Sequence, residues 1–340
     1  MTITKYINTK GLECDILFID ECGVVNDSDM KKVLENNNSE LLVLVGDIFQ
    51  IESIGFGRWF SYSKEVMPKK AINELKEQYR TDNRSLQKLW KYVRENKENI
   101  IDSLNRYGIS KTLSDSIFKR KSDDEIILCI NYDGFYGINN INRILQESNQ
   151  NPVFYWGTQK FKKGDPIIFH TPEAIGKGIY NNMKGKILNI DIDDNKKYIE
   201  FHIELEKKIN ISDIDINKCQ LLDKDDCESS SISFKVYKKQ NTDLDEDDLT
   251  TIIPFQISYA ISIHKSQGLE YDSVKIIFPN ILENKINHNI FYTAITRAKK
   301  DLTIYWSEEL EEKFIKSIVL ESDNKDISIL KNMFPSFGKK

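Results

Sequence analysis

Apolar and polar positions alternate along this chain in two rhythms. Three short apolar runs stand out: "DILFI" at 15–19, "LLVLV" at 41–45 and "EIILCIN" at 125–131, each followed by polar or turn-forming residues. Unbroken runs of this length suit strands covered on both faces, as in a parallel sheet. Segments with helical spacing lie between them. "DSDMKKVLENN" (27–37) follows the first run, with Asp27 or Ser28 placed to cap it. Within 71–96, Leu86, Leu89, Trp90 and Val93 fall on one helical face. "INNINRILQES" (138–148) follows a glycine-containing loop and reads as another helix. From about Gly164 to Lys238 the rhythm changes to short alternating stretches, "DPIIFH", "KGKILNIDID" and "KYIEFHIELE", separated by turn signals. This predicts a small antiparallel, barrel-like β insertion. After an acidic stretch at 241–249, read as a solvated loop, the α/β pattern returns. It runs through "FQISYAISIHKSQG", "SVKIIFP", a helix around "NIFYTAITRAKK" and the strand "DLTIYW", then gives way to a polar tail after Glu321.

A length of 340 residues predicts two or three domains. Apolar residues make up 40% and charged residues 30%, which fits a globular protein with a sizeable core. No apolar run approaches the ~20 residues that span a bilayer, and no signal segment opens the chain. The five cysteines include no CxxC pair, so neither a zinc site nor a disulfide framework is indicated, and a reducing cytoplasm is the simple expectation. A net charge of −5 argues against a protein that coats nucleic acid non-specifically, while leaving room for a local basic groove.

The candidate chemistry begins at Asp20 and Glu21, which follow the first strand. Two carboxylates at the carboxyl edge of a parallel sheet suit a nucleotide site, Asp20 holding Mg2+ through water and Glu21 orienting and deprotonating an attacking water. The same pair also suits an ordinary turn or cap. The second strand ends in Gly46-Asp47 with Gln50 three residues on, placed to sense a γ-phosphate or its attacking water. Arg80 precedes one helical stretch, and Arg297 falls on the helix that carries Tyr292 and Ile295. Phosphoryl transfer needs positive charge on the equatorial oxygens, and arginine forks supply it. Each arginine alone also reads as a surface ion pair. His264, Lys265, Ser266 and Gln267 form a polar quartet between an apolar strand and Gly268, a composition suited to phosphate contacts. Trp59, Phe60, Tyr155 and Trp156 suit either base stacking or core packing.

Taken in order, "FIDE", "VGDIFQ", "EQYRT", "ISIHKSQGLEYDSV" and "YTAITRAKKDL" resemble the later motifs of superfamily 1 helicases, most of all the RecD-like branch. "GINNINRILQESNQNP" resembles a linker helix of that branch, and "FKKGDPIIF…GIYNNMKGKI" the lead into its SH3-like insertion. The resemblance spans about residues 12–306. It implies an α/β fold of RecA-like parallel sheets: a partial first motor domain, 1–70, and a second motor domain formed by 71–160 and 246–320. An SH3-like β insertion at 161–245 and a polar tail at 321–340 complete the expected division. The resemblance implies that ATP and Mg2+ are the cofactors, with Asp20 on the metal, Glu21 as catalytic base and Gln50 coupling γ-phosphate to DNA. Arg80 and Arg297 would be finger arginines. Asp47, Gly268 and Glu270 would face the nucleotide, Glu270 at the ribose, and His264, Lys265 and Ser266 would face single-stranded DNA.

Two departures matter. No GxxxxGK[ST] phosphate loop occurs in the sequence, and the Asn-Gly of the insertion motif is Asn181-Asn182. The expectation is therefore a helicase or translocase part whose phosphate loop lies in a longer protein or arrives in trans on a second polypeptide. A sheet completed elsewhere would expose apolar surface. The alternative is a catalytically inactive nucleic-acid-binding or scaffold subunit derived from a helicase. Repair and phage-defence systems that pair such motors with nucleases supply a further class of partner. A plain nuclease built on Asp20 and Glu21 would want more clustered acids and a lysine.

Overall fold

The computed structural model describes residues 1–9, 12–53, 55, 59–75, 77–95, 97, 99–171, 175–176, 178–210, 212, 214–222, 229–238, 251–280 and 286–320. The acidic stretch at 241–249 and the tail at 321–340 lie outside these residues. The chain divides into two compact units, Met1–Thr112 with Pro279–Lys340, and Leu113–Phe278.

The first unit opens with α1 (Ile3–Asn8), β1 (Ile16–Ile19), α2 (Asp27–Asn36) and β2 (Leu41–Leu44). β1 and β2 pair in parallel, Ile16 opposite Leu41 and Ile19 opposite Leu44. One face of this pair packs Leu17, Ile19, Leu42 and Leu44 against Tyr6, Met30 and Val33 of α1 and α2. The opposite face carries Ile16, Phe18, Leu41 and, one residue past β2, Val45, all exposed, Phe18 to 67%. The cap of α2 is Asn26, whose side-chain oxygen accepts from Asp29 N at 2.9 Å. Asp27 and Ser28 instead fill the first turn, where the Asp27 charge suits the helix dipole. The sequence places two good capping residues inside the helix, and the residue just before them reaches the N3 amide.

α3 (Trp59–Val66), α4 (Arg84–Arg94), α5 (Ile100–Arg106) and β3 (Ser110–Thr112) follow. Asn83 caps α4 by accepting from Ser85 N and Leu86 N, and Leu86, Leu89, Trp90 and Val93 are all buried, as their spacing predicts. Trp59 and Phe60 pack against the core beneath β1 and β2.

The second unit contains β4 (Glu125–Cys129), α6 (Ile138–Ser148), a hairpin of β5 (Val153–Trp156) and β6 (Gln159–Lys162), β7 (Pro166–Phe169), β8 (Lys184–Ile192), β9 (Tyr198–Leu205), β10 (Cys219–Leu221), β11 (Ser231–Tyr237), β12 (Phe255–Ile257), β13 (Ala260–Ser262) and β14 (Tyr271–Ile277). β13 and β14 flank β4, both in parallel with it. Six strands in the order β10-β11-β9-β8-β7-β12 form the predicted antiparallel unit. Along β9 the alternation is strict, with Ile199, Phe201, Ile203 and Leu205 turned into a core they share with Phe161, Phe169 and Phe255. Asn182 adopts φ +69°, so the second asparagine of the Asn-Asn pair takes the left-handed turn for which glycine is the usual residue. Trp156 joins this core, whereas Tyr155 is 63% exposed. A buried lysine, Lys275, ties β14 to β4 through Glu125 at 2.9 Å and also donates to Ile117 O at 3.0 Å. Buried Asp165 accepts from Tyr259, Gln146, Asn149 and the Lys162 amide, fastening α6 to the start of the antiparallel unit.

The chain then returns to the first unit as α7 (His288–Ile295), β15 (Ala298–Trp306) and α8 (Glu308–Leu320). β15 pairs in parallel with β3. The fold is α/β, with parallel pairing in both units and an antiparallel β unit inserted in the second.

Candidate functional site

Asp20 and Glu21 leave β1 at its carboxyl end. Glu21 takes left-handed backbone angles (φ +53°, ψ 42°), rare for a residue with a side chain, and its amide donates to Asp20 Oδ1 at 2.8 Å. Cys22 N donates to Val45 O at 2.8 Å, which draws the ends of β1 and β2 together. Gly46 permits this approach: a Cβ there would meet Phe60 at 2.7 Å and Cys22 N at 3.1 Å. Cys22, for which the sequence offers no mechanistic role, is buried, with its thiol donating to Ile19 O at 3.1 Å. Burial holds that thiol unreactive, its pKa pushed up to about 11.

Past β2, Asp47 accepts from Phe49 N at 3.0 Å and lies 3.5 Å from Gln50 Nε2. The segment 47–51 is anchored on α7. Ile51 N donates to Thr293 Oγ1 at 2.8 Å, and Asn289 Nδ2 to Gln50 O at 2.9 Å. Phe49 packs edge-on against His288 and Tyr292, with the Arg94 guanidinium 5.0 Å from its ring centre.

Arg297 is 1% exposed. Its Nε donates to Thr293 O at 2.9 Å, and its terminal nitrogen to Thr296 Oγ1 at 3.1 Å and Gln50 Oε1 at 3.3 Å. The sequence pattern puts Arg297 on the helix, but α7 ends at Ile295. Thr296 bonds its hydroxyl back to Tyr292 O and Thr293 O, Arg297 Nε also donates to Thr293 O, and the helix stops there, with β15 beginning at Ala298. Arg80 lies in non-helical chain ahead of α4 and donates to Thr296 O at 3.1 Å. Both arginines thus converge on the same turn.

The electrostatics agree with this geometry. Burial, more than any other cause, raises the Glu21 pKa above the ordinary carboxylate value, and Asp20 and Asp47 add to the rise. Arg297 and Arg80 act on Glu21 in the opposite direction. Tyr292 is pushed up to about 12, by burial first and then by Asp47. The first unit therefore brings together Asp20, Glu21, Asp47, Gln50, Arg80 and Arg297. Thr293, Asn289 and Thr296 complete the set. Sequence reading passed over these three, although two of them stand inside "YTAITR".

The remaining candidates belong to the second unit. His264, Lys265 and Ser266 form a 3-10 turn after β13. Ser266 is buried and donates to Ile263 O at 2.7 Å. Lys265 Nζ donates to Gln256 Oε1 at 2.9 Å, and His264 is exposed at the surface. Gly268 has φ +76° with no atom near a would-be Cβ, so backbone conformation rather than crowding requires glycine. Glu270 is half-buried, and its carbonyl accepts from Lys184 at 2.9 Å. Two cavities, of about 270 and 310 Å3, have none of these candidates in their linings, one over β10 and β11 and the other beside Trp306 and Glu311.

Acids thus stand just past the carboxyl end of the parallel strand β1, in the same unit as two arginines whose charges act on Glu21. Residues 258–305 match the UvrD-like helicase C-terminal domain, and residues 1–115 match an AAA domain. The chain is similar to superfamily 1 helicases of the RecD-like branch. It is 27% identical over 223 residues to the RecBCD enzyme subunit RecD of Buchnera aphidicola, covering 62% of this chain and 30% of that protein. An uncharacterised protein of Methanocaldococcus jannaschii is 27% identical over 99% of this chain and 32% of its own length. The chain thus spans about a third of the length of these curated relatives. In fold it is similar to the Pif1 helicase of Candida albicans (TM-score 0.54, 18% identity, 97% of this chain and 78% of that one). It is also similar to a Bacteroides Pif1 bound to ssDNA (TM-score 0.52, 15% identity, 96% of this chain and 78% of that one).

Proposed function

We propose that this chain supplies the acids and finger arginines of an ATP-driven motor that moves along single-stranded DNA. The phosphate loop would come from residues outside this sequence, either elsewhere in a longer protein or on a second polypeptide. The observation that carries the reading is the bridge from Asp47 through Gln50 to Arg297 (3.5 and 3.3 Å), within the unit where Arg297 and Arg80 act electrostatically on Glu21. Glu21, its proton affinity raised by burial, suits the task of taking a proton from water near neutral pH. Gln50, held between an acid and an arginine, is placed to exchange one partner for a phosphate oxygen. The Arg297 and Arg80 guanidiniums would neutralise charge developing on the transferred phosphoryl group.

Asp20 keeps Oδ2 available, since Oδ1 accepts from the Glu21 amide. No group of three or more metal-ligating side chains gathers among the described residues. That donor set suits Mg2+, which is commonly held by one or two carboxylates together with waters and substrate phosphates. When bound there, Mg2+ would neutralise phosphate charge. Asp47, Gly268 and Glu270 are assigned to the nucleotide, and His264, Lys265 and Ser266 to the DNA strand.

The test is DNA-stimulated ATP hydrolysis by the native assembly, with every polypeptide in it identified. Glu21→Gln should lower turnover about 10²–10⁴-fold with strand binding unchanged. An assembly that contains a phosphate loop, binds strand and hydrolyses nothing would instead establish the alternative, an inactive binding or scaffold subunit. A co-purifying nuclease would place the motor in a DNA-processing complex.

A further inference from the structure

A set of polar side chains in the first unit lies outside the helicase-like motifs. β3 runs beside the end of β15, Ser110 opposite Ile304 and Thr112 opposite Trp306, and α8 begins two residues after Trp306. The Trp306 ring stacks on Phe291, their centres 5.8 Å apart, and its Nε1 donates to Ser110 Oγ at 2.8 Å. Ser110 Oγ in turn donates to Glu311 Oε2 at 2.8 Å. Trp306, Ser110 and Glu311 border the cavity of about 310 Å3, which they share with Ile101, Lys111, Glu308 and Glu312. We infer that this cavity is a binding site for a primary alkylammonium group, as carried by a polyamine or by a lysine side chain of another protein.

Three features carry it. First, an acceptor is held without a donor. Glu311 is 9% exposed, and its shielded Oε1 has no hydrogen-bond partner among the described residues. Ser110 has already given its one hydrogen to Oε2. A buried carboxylate oxygen left so is costly, and a donor entering the cavity would remove the cost. Second, the charge favours a cation. Three carboxylates, Glu308, Glu311 and Glu312, share the cavity with the single charge of Lys111. Lys316 lies 3.5 Å from Glu312, but both are exposed and the pair is weak. Burial above all raises the Glu311 pKa, and the Glu308 and Glu312 charges add to the rise, while the Ser110 bond and the nearby Trp306 N–H oppose it. Among the described residues no three acids are arranged to hold a metal ion, so the cation that fits is an organic one. Third, the shape selects its kind. With Oε2 occupied, Glu311 cannot take the two parallel bonds of a guanidinium fork, whereas an ammonium needs one free oxygen. Ile101 and Trp306 offer apolar surface to a methylene stem.

The chain has four tryptophans, and the Trp306 indole N–H, bonded into this chain of donors, reports on it. The experiment titrates the full chain with butylammonium while recording the four indole N–H resonances, that of Trp306 being identified by its loss in Trp306→Phe. Expected is a saturable shift of the Trp306 signal with the other three unmoved. Tetramethylammonium, which has the charge and no N–H, should leave it in place. Glu311→Gln should weaken butylammonium binding about tenfold or more, the effect of a lost hydrogen bond to a charged group. The double variant Glu308→Gln, Glu312→Gln alters only exposed side chains, so it keeps the test open if Glu311→Gln fails to fold, and it should weaken binding about two- to fivefold. Unmoved signals of Trp59, Trp90 and Trp156 confirm folding of each variant. Tighter binding of spermidine than of butylammonium would support the site with a free polyamine as its source. Tighter binding of a lysine-containing peptide would support it with a protein side chain as its source. A motionless Trp306 signal, an equal shift with tetramethylammonium, tighter binding of butylguanidinium, or wild-type affinity in the double variant would each overturn the inference.

Discussion

Glu21 is a carboxyl whose charged form the fold disfavours. Its folded pKa lies above the unfolded value, so its contribution to stability is present at low pH and is lost as pH rises through the folded pKa. Glu21→Gln removes that titration. The variant should gain stability relative to wild type between about pH 4 and 7, as read by thermal unfolding at each pH. Arg297 behaves in the opposite sense, because its guanidinium satisfies Thr293 O, Thr296 Oγ1 and Gln50 Oε1 at once. Arg297→Lys keeps the charge but loses the fork. It should cost about 1–3 kcal/mol in denaturant unfolding and loosen the 47–51 segment. Gly46→Ala should cost a similar amount, about 1–3 kcal/mol, because its Cβ would lie 2.7 Å from the Phe60 ring. Phe60→Leu in the same background should restore part of the loss.

Helix α2 illustrates what sequence pattern does and does not specify at the scale of elements. Its position follows from the spacing of Met30 and Val33, but its cap does not, because four consecutive residues, Asn26 to Asp29, all have capping side chains. Asn26→Ala should cost about 1 kcal/mol, and Asp27→Ala only the few tenths of a helix-dipole interaction, as compared by chemical denaturation. Strands β1, β2, β4 and β9 and helices α4 and α6 were legible, since burial on one or both faces imposes a period. The β5–β6 hairpin, turned at Gly157 with φ +60°, was not, because its exposed Val153 and Tyr155 blur the alternation. The end of α7 was hidden for a different reason. "AITRAK" is helical by propensity, and the bonds that end the helix, local ones to Tyr292 O and Thr293 O and distant ones from Arg80 and to Gln50, are not visible in that pattern. The candidate site was legible as a set of motifs. Its supports, Thr293 and Asn289, were not, because their partners lie more than two hundred positions away.

At the scale of the whole molecule, an exposed apolar feature near the site is the face of β1 and β2 that carries Ile16, Phe18, Leu41 and Val45. Parallel sheets are ordinarily covered on both sides. Phe18→Ser should therefore change the stability of this chain by less than about 0.5 kcal/mol, whereas Ile19→Ser, on the packed face, should cost several times more. A large penalty at Phe18 in the native assembly, absent from the isolated chain, would locate surface that covers this face. Unfolding of both variants in the two settings makes the comparison.

The left-handed backbone of Glu21 bears on what selection must maintain. A side chain held in that conformation costs about 1–2 kcal/mol, and glycine there would relieve it while adding about 0.5–1 kcal/mol of chain entropy to the unfolded state. The relief is the larger of the two, so folding does not need the acid and gains slightly by losing it. A mutant library sorted only for soluble, folded protein would let this carboxylate drift away, and one sorted for work along a strand would recover it. The fate of a single codon under these two screens would separate a working motor from an inherited scaffold.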